Sequence, residues 1–262
     1  MSERRRALVT GASSGIGEAV VRAFAERGYR VALLARRASE LERVRASLPR
    51  PDEHVVVPCD LRDETALRAA IAAAGERLGA FDVIVQSAGT GYRARLEELE
   101  RVEIERVLAL NVTAVLLVDR EALPWLERGE RPVVIHVGSV IARRGIPGQL
   151  VYAASKAALV SASEALRLEW AGREIEVCLV HPGVTRTPFF AVQQNPHGRP
   201  PPDLASADEP ATVAAAILEL DRRPRPEVWL RSRWRWFALA SLIAPRFADR
   251  WLAKKLGPSD RH

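Results

Sequence analysis

Cysteine is scarce in this chain. Its two copies, Cys59 and Cys178, lie in separate apolar, strand-like runs and read as buried free thiols. A disulfide framework or a thiolate metal site needs more ligands at closer spacing. The five histidines show no metal-ligand spacing either. His136 and His181 stand at the ends of apolar runs and read as structural histidines, with a second catalytic base as the other reading. Internal repeats and any sign of a second domain are missing. The uncharged run at residues 236–245 falls well short of the about 20 apolar residues that a membrane-crossing helix needs. The first strand-like run begins at Ala7, which leaves no room for a signal peptide, so the expected compartment is cytoplasmic and reducing.

What charge excess there is sits at one end. The chain has 262 residues and a net charge of +6, and residues 225–262 hold nine Lys and Arg against three acids. The rest of the chain is therefore neutral, and the high isoelectric point belongs to the tail. That argues against a general affinity for nucleic acid. Four of the six tryptophans, Trp229, Trp234, Trp236 and Trp251, share this tail.

The remainder alternates strand-like and helix-like runs. Strands are expected at residues 7–10, 30–35, 54–59, 81–86, 132–137, 176–180 and 227–230. Most are nearly continuous in Val, Ile and Leu, as parallel strands covered on both faces are. Helices are expected at 15–27, 64–78, 100–127, 152–171 and 210–220. The pattern predicts an α/β fold, a doubly wound parallel sheet with helices on both faces and ligands at the carboxyl ends of the strands. Residues 1–232 read as a single catalytic domain, and 233–262 as a hydrophobic, basic helical extension and not a separate domain. Residues 185–209, with five prolines, resist regular structure and read as a segment covering the substrate.

Two local patterns carry chemistry. The first strand runs into Gly11-Ala12-Ser13-Ser14-Gly15-Ile16-Gly17, followed by Val20, Val21 and Phe24 at helical spacing. Gly11 permits the tight turn, Gly15 a close backbone approach to a pyrophosphate, and Gly17 the packing of helix on sheet. Phosphates would then meet the free N–H groups and the dipole of the helix start. The second pattern is Y-A-A-S-K, with Tyr152 and Lys156 four residues apart on one helix face. A phenol ionises only near pH 10, and an ammonium beside it favours the phenolate, so the pair suits proton exchange with an alcohol or carbonyl.

With these patterns in place, the chain resembles the shorter form of the short-chain dehydrogenase/reductase family. The resemblance spans about residues 5–230. It rests on T-G-A-S-S-G-I-G from Thr10, Asp60, S-A-G from Ser87, Asn111, Ser139, Y-A-A-S-K, and P-G-V-T-R-T from Pro182, all in order and at matching intervals. It implies a Rossmann-like fold and hydride transfer between a nicotinamide cofactor and a carbonyl or secondary alcohol. Tyr152 would be the general acid, Lys156 would lower its pKa and hold the ribose, and Ser139 would orient the substrate oxygen. Asn111 would kink its helix and hold a water in a relay to Lys156. The cofactor would lie on Gly11, Ser13, Ser14, Gly15, Ile16, Gly17, Asp60, Leu61, Ser87, Ala88, Gly89, Tyr152, Lys156, Pro182, Gly183, Val184, Thr185 and Thr187. Asp60 would meet the adenine; by position alone it would cap the following helix. Two departures stand out: Gln86 and Ser87 replace an Asn-Asn pair, which puts a sheet-bracing hydrogen bond in doubt, and Gly138 precedes Ser139 where a second serine is common.

No carboxylate stands at the end of the second strand to bind a ribose 2′-hydroxyl. Arg36 and Arg37 stand there instead, with fork geometry suited to a 2′-phosphate, so NADP(H) is the expected cofactor. The substrate is expected to be hydrophobic, and the protein a homodimer or homotetramer. A 3-oxoacyl thioester reductase and a non-catalytic NADP(H)-binding sensor are the alternatives. The tail has two readings as well. Its helices either pack on the enzyme's own cleft or a neighbouring subunit, or lie peripherally in the inner face of a membrane.

Overall fold

Seven parallel strands form one sheet in the order β3-β2-β1-β4-β5-β6-β7. They are β1 (Arg6–Thr10), β2 (Arg30–Ala35), β3 (Val55–Pro58), β4 (Val83–Gln86), β5 (Val133–Val137), β6 (Glu176–His181) and β7 (Glu227–Trp229). The coordinates are those of a computed structural model and describe residues 4–256. The expected Rossmann-like architecture is the observed one. The strand order reverses between β1 and β4, which opens a crevice at their carboxyl ends.

Alternate residues of each strand feed two apolar layers, which is why the strands read as continuous apolar runs. Ala7, Val9, Val31, Leu33, Val83 and Val85 face α1 (Gly15–Glu26), α2 (Ala38–Ala46) and α8 (Pro210–Arg222). Leu8, Ala32, Leu34, Ile84 and Val134 face α3 (Glu64–Leu78) and α5 (Ala114–Leu126) on the other side. Helix α6 (Leu150–Glu169) joins that second layer through Leu159 and Val160 against Val115 and Leu179.

Local departures from the sequence expectations have local causes. Helix α2 escapes the pattern because Leu41 and Val44 are its only buried positions among arginines and glutamates. The helix expected at 100–127 is α4 (Arg101–Leu108), a five-residue π segment (Ala109–Thr113) and α5, with buried Asn111 at the centre of the wide turn. Helix α6 starts two residues before Tyr152. The segment expected to lack regular structure contains α7 (Phe189–Val192). The tail forms α9 (Ser232–Ile243) and α10 (Pro245–Leu256), divided at Pro245, and no helix among the described residues is long and apolar enough to cross a membrane.

One buried ion pair ties the amino ends of the central strands together. Asp82, 1 % exposed, accepts from the Arg6 backbone N–H at 2.7 Å, its guanidinium at 3.0 Å and the Glu130 N–H at 2.6 Å. These bonds outweigh burial and hold the Asp82 carboxyl below its ordinary range. Asp82→Ala takes the buried carboxylate away from the Arg6 guanidinium and from two backbone N–H donors, so urea denaturation should show a loss of about 3–5 kcal/mol. A loss under about 1 kcal/mol would mean that water reaches the pair.

Candidate active site

The glycine turn sets the shape of the crevice. Gly11 has φ +69°, and a Cβ there would come within 2.9 Å of the Ala88 backbone, so only glycine lets the ends of β1 and β4 lie this close. A Cβ at Gly17 would drive into the Gly11 carbonyl, so Gly17 lets α1 start directly over the turn. Thr10, which the sequence reading passed over, holds the other side: its Oγ1 accepts from the Ser87 and Ala88 N–H groups at 3.1 Å each. Ser14 caps α1 without a side-chain bond, leaving the helix start open to an anion.

A cavity of about 1070 Å³ opens above these ends. Gly11, Ser13, Ser14, Gly15, Ile16, Arg36, Arg37, Asp60, Leu61, Ser87, Ala88, Gly89, Ser139, Tyr152, Lys156, Pro182, Gly183, Val184, Thr185 and Thr187 all line it. Gly17 and Asn111 do not. Gly17 is covered by the turn, and the Asn111 amide is spent inside the protein. Asn111 accepts from Thr90 N–H and donates to Thr90 C=O and Ser155 Oγ, each at 2.9 Å. It thus ties the segment after β4 to α6 through Ser155, a residue inside Y-A-A-S-K to which the sequence gave no role.

Tyr152 and Lys156 share one face of α6, as their spacing predicts. Burial pushes the Tyr152 phenol up to about 12, and a hydrogen bond with Ser139 pulls it partway back. Burial pushes Lys156 down to about 8. Burial and Ser139 are what set the phenol here. The Lys156 Nζ is 5.9 Å from the ring centroid and donates to the Val137 carbonyl at 2.8 Å. The site as it stands keeps a protonated phenol at neutral pH. Phe189 packs against that ring with centroids 5.5 Å apart. Ser139 stands two residues past β5 in extended backbone and leads the chain into a short 3₁₀ segment.

At the opposite end, the Arg37 guanidinium donates to Ser13 Oγ at 3.1 Å and Ser14 Oγ at 3.3 Å, so charge and hydroxyls converge beside the glycine turn. Asp60 does not cap α3; Asp63 does, accepting from Ala66 N–H at 3.0 Å. Asp60 accepts instead from Arg62, whose guanidinium holds its carboxyl below the ordinary range. Thr187 lies against Gly15, and Asp208 pins residues 184–186 through backbone bonds to Val184 and Arg186 and a 2.7 Å pair with Arg231.

Both departures from the family pattern resolve structurally. Gln86 donates to Val115 C=O at 2.9 Å and Asp119 Oδ1 at 2.6 Å, so it supplies a brace between sheet and α5. Asp119 also meets His136 at 3.0 Å, whose other nitrogen is 2.7 Å from Ser163 Oγ; all three are buried away from the cavity and structural. At Gly138 a Cβ would press on the His181 ring at 3.2 Å. His181 Nδ1 donates to the Ser139 carbonyl at 3.0 Å, and its Nε2 faces Glu227 at 3.1 Å. Trp229 stacks on the ring at 4.2 Å, and Arg143 bonds Glu227 at 2.8 Å. These supports were invisible in the sequence, since Arg143, His181 and Glu227 are far apart in the chain.

The His181 bond, with help from Arg143 and against burial, holds Glu227 down at about 2. A carboxylate depressed in the fold stabilises above its ordinary value and loses that contribution as pH falls. The stability gap between the parent and Glu227→Gln should therefore be full at pH 7 and narrow as pH falls from 4.5 toward 2, as read by urea titration. A gap independent of pH would show that the charge is not what holds this corner.

Comparison with known proteins agrees with the geometry. The family model for short chain dehydrogenases matches residues 5–197. The chain is 38 % identical over 188 residues to a glucose 1-dehydrogenase of Gluconobacter oxydans, covering 71 % of each chain. It is 31 % identical over 258 residues to an uncharacterized oxidoreductase of Mycobacterium tuberculosis, covering 95 % of this chain and 97 % of the relative. Among solved structures, an alcohol dehydrogenase from Thermococcus sibiricus complexed with 5-hydroxy-NADP superposes with a TM-score of 0.79 at 28 % identity, covering 88 % and 98 %. A 3-ketoacyl-(acyl-carrier-protein) reductase from Brucella melitensis complexed with NADH gives 0.77 at 29 %, covering 87 % and 96 %. The chain belongs to the short-chain dehydrogenase family and is an oxidoreductase of that family.

Proposed function

We propose that this protein is an NADP(H)-dependent oxidoreductase acting reversibly on a carbonyl or secondary alcohol of an apolar substrate. The observation that carries the reading is the convergence of Ser139, Tyr152 and Lys156 on one cavity whose other end is the open glycine turn. The residues fit a dinucleotide: the close-approach glycines, the uncapped start of α1 and the Ser13, Ser14 and Arg37 donors suit phosphates. Neighbours of similar fold were solved with NADH and with 5-hydroxy-NADP, which supports a nicotinamide cofactor. When bound, that cofactor would supply the hydride chemistry.

The chain's own part is proton transfer and orientation. Tyr152, protonated at neutral pH, would give its proton to the substrate oxygen during reduction. Ser139, hydrogen-bonded to that phenol, would fix the same oxygen from the other side. Lys156 spends one donor on Val137 and keeps two for the cofactor ribose. Ile141, Ile146, Phe189, Phe190 and Val192 line the substrate end and favour an apolar molecule. The arginines after β2 and the lack of an acid there support NADP(H) over NAD(H).

NADPH oxidation against ketones, aldehydes and acyl thioesters of graded chain length tests the reading. Tyr152→Phe should bind NADPH as the parent does and lose roughly a hundredfold or more in turnover. Turnover within a few-fold of the parent would sink the assignment. Arg36→Ala with Arg37→Ala removes charged hydrogen bonds worth about 1.5–3 kcal/mol, so NADPH should weaken by one to two decades while NADH hardly moves. Equal loss for both nucleotides would show that the arginines do not read a 2′-phosphate.

A further inference from the structure

The α9–α10 hairpin is apolar on two sides. Its inner side is built into the protein. Ala238 and Ser241 are buried, and Phe237 meets Trp234 edge-on at 6.2 Å and Trp251 at a tilt at 4.9 Å. The indole of Trp234 lies beside Gly183, and Arg144 bonds Asp249 and the Pro245 carbonyl. The hairpin is thereby anchored to two cavity-flanking loops, at Pro182–Gly183 and after Ser139.

The outer side of α9 is solvent-exposed among the described residues. Trp236, Leu239, Ala240 and Ile243 repeat at i, i+3, i+4 and i+7 and are all exposed, Ile243 by 87 %. On α10, exposed Phe247 continues the stripe, with exposed Arg250 and Lys254 three and seven residues on. Arg233, Arg235 and Arg246 flank the stripe. The only acid among residues 232–254 is Asp249, already paired with Arg144.

We propose that this face docks on an anionic lipid surface. Exposed tryptophan and aliphatic side chains rimmed by unopposed cations are the composition of a helix lying in a membrane interface. A second copy of the chain fits poorly, because a two-fold contact would set this cationic patch against itself with no acid to offset it. A nucleic acid fits poorly too, because the middle of the stripe offers only Leu239, Ala240 and Ile243 to a phosphate. Docking would hold the apolar end of the cavity at the lipid boundary, a consequence that rests on the proposed substrate class, whereas the docking itself does not.

Co-sedimentation of the full chain with vesicles tests this. Phosphatidylcholine vesicles containing phosphatidylglycerol should bind the parent at low salt at least about tenfold more tightly than pure phosphatidylcholine, and high salt should erase the difference. Leu239→Glu with Ile243→Glu should abolish binding. Arg235→Glu with Arg250→Glu should remove the anionic preference. All of these side chains are exposed, so melting temperature and nucleotide binding should match the parent, and Ile243→Gln alone is the milder control. Failure of the parent to bind anionic vesicles at low salt overturns the proposal, as does binding that neither pair of changes reduces. A drop in mass by light scattering for Leu239→Glu with Ile243→Glu, in a parent that ignores vesicles, would assign the face to a second copy. Binding with no measurable turnover would leave the docking standing and remove only the substrate reading.

Discussion

The close approach of the β1 and β4 ends is the constraint from which the site follows. Gly11 removes the side chain that would keep them apart, and Thr10 satisfies the two N–H groups exposed by the approach. Gly17 then seats α1 directly on the turn, so the helix start and the segment after β4 share one wall of the cavity. Asn111 continues the chain of dependence. From the widened turn before α5 it grips both backbone groups of Thr90 and reaches Ser155 on α6, the helix that carries Tyr152 and Lys156. The nucleotide end and the chemical end are thus coupled through buried hydrogen bonds, each costly to leave half made.

A second scaffold stands behind Ser139. The serine side chain faces Tyr152 while its carbonyl, bonded by the Ala142 N–H at 3.0 Å, has a second lone pair to fill. His181 meets that need, Glu227 and Arg143 orient His181, and Trp229 fixes the ring plane. Gly138, which looked like a lost serine, is the residue that leaves room for this ring. The division follows the burial: His136 and His181 are fully buried supports, and Tyr152 lines the cavity. Cys59, although it borders the cavity, is a thiol that burial pushes up to about 11 and has no nucleophilic character at neutral pH.

Much of this was legible in the sequence, for physical reasons. Parallel strands buried on both faces must be apolar throughout, so the seven runs announced themselves. A phosphate-binding turn needs glycine where a side chain would collide, and a tyrosine–lysine pair needs helical spacing. What stayed hidden depends on contacts between distant positions. Nothing local ties Arg143 to Glu227, or Gln86 to Asp119. Helix α2 hid because its two-residue apolar stripe falls below any periodic signal. The bond from Lys156 to the Val137 carbonyl was hidden as well, because spacing gives shared facing and not the partners of an ammonium.

The two ends of the cavity have opposite chemistry, and the tail follows the same division. Arginines and hydroxyls gather where the strands β1 and β2 end, while Ile141, Ile146, Phe189 and Phe190 gather beyond Ser139. The hairpin attaches at the apolar end, through Trp234 and Arg144, and not at the charged one. Its outward stripe is apolar, and Arg235, Arg246 and Arg250 are exposed beside it, while Asp249 is already paired with Arg144. A helix that merely completed a core would be polar on its far side. The far side of α9 instead carries exposed Trp236, Leu239 and Ile243 among its arginines, and on that composition the proposed docking rests.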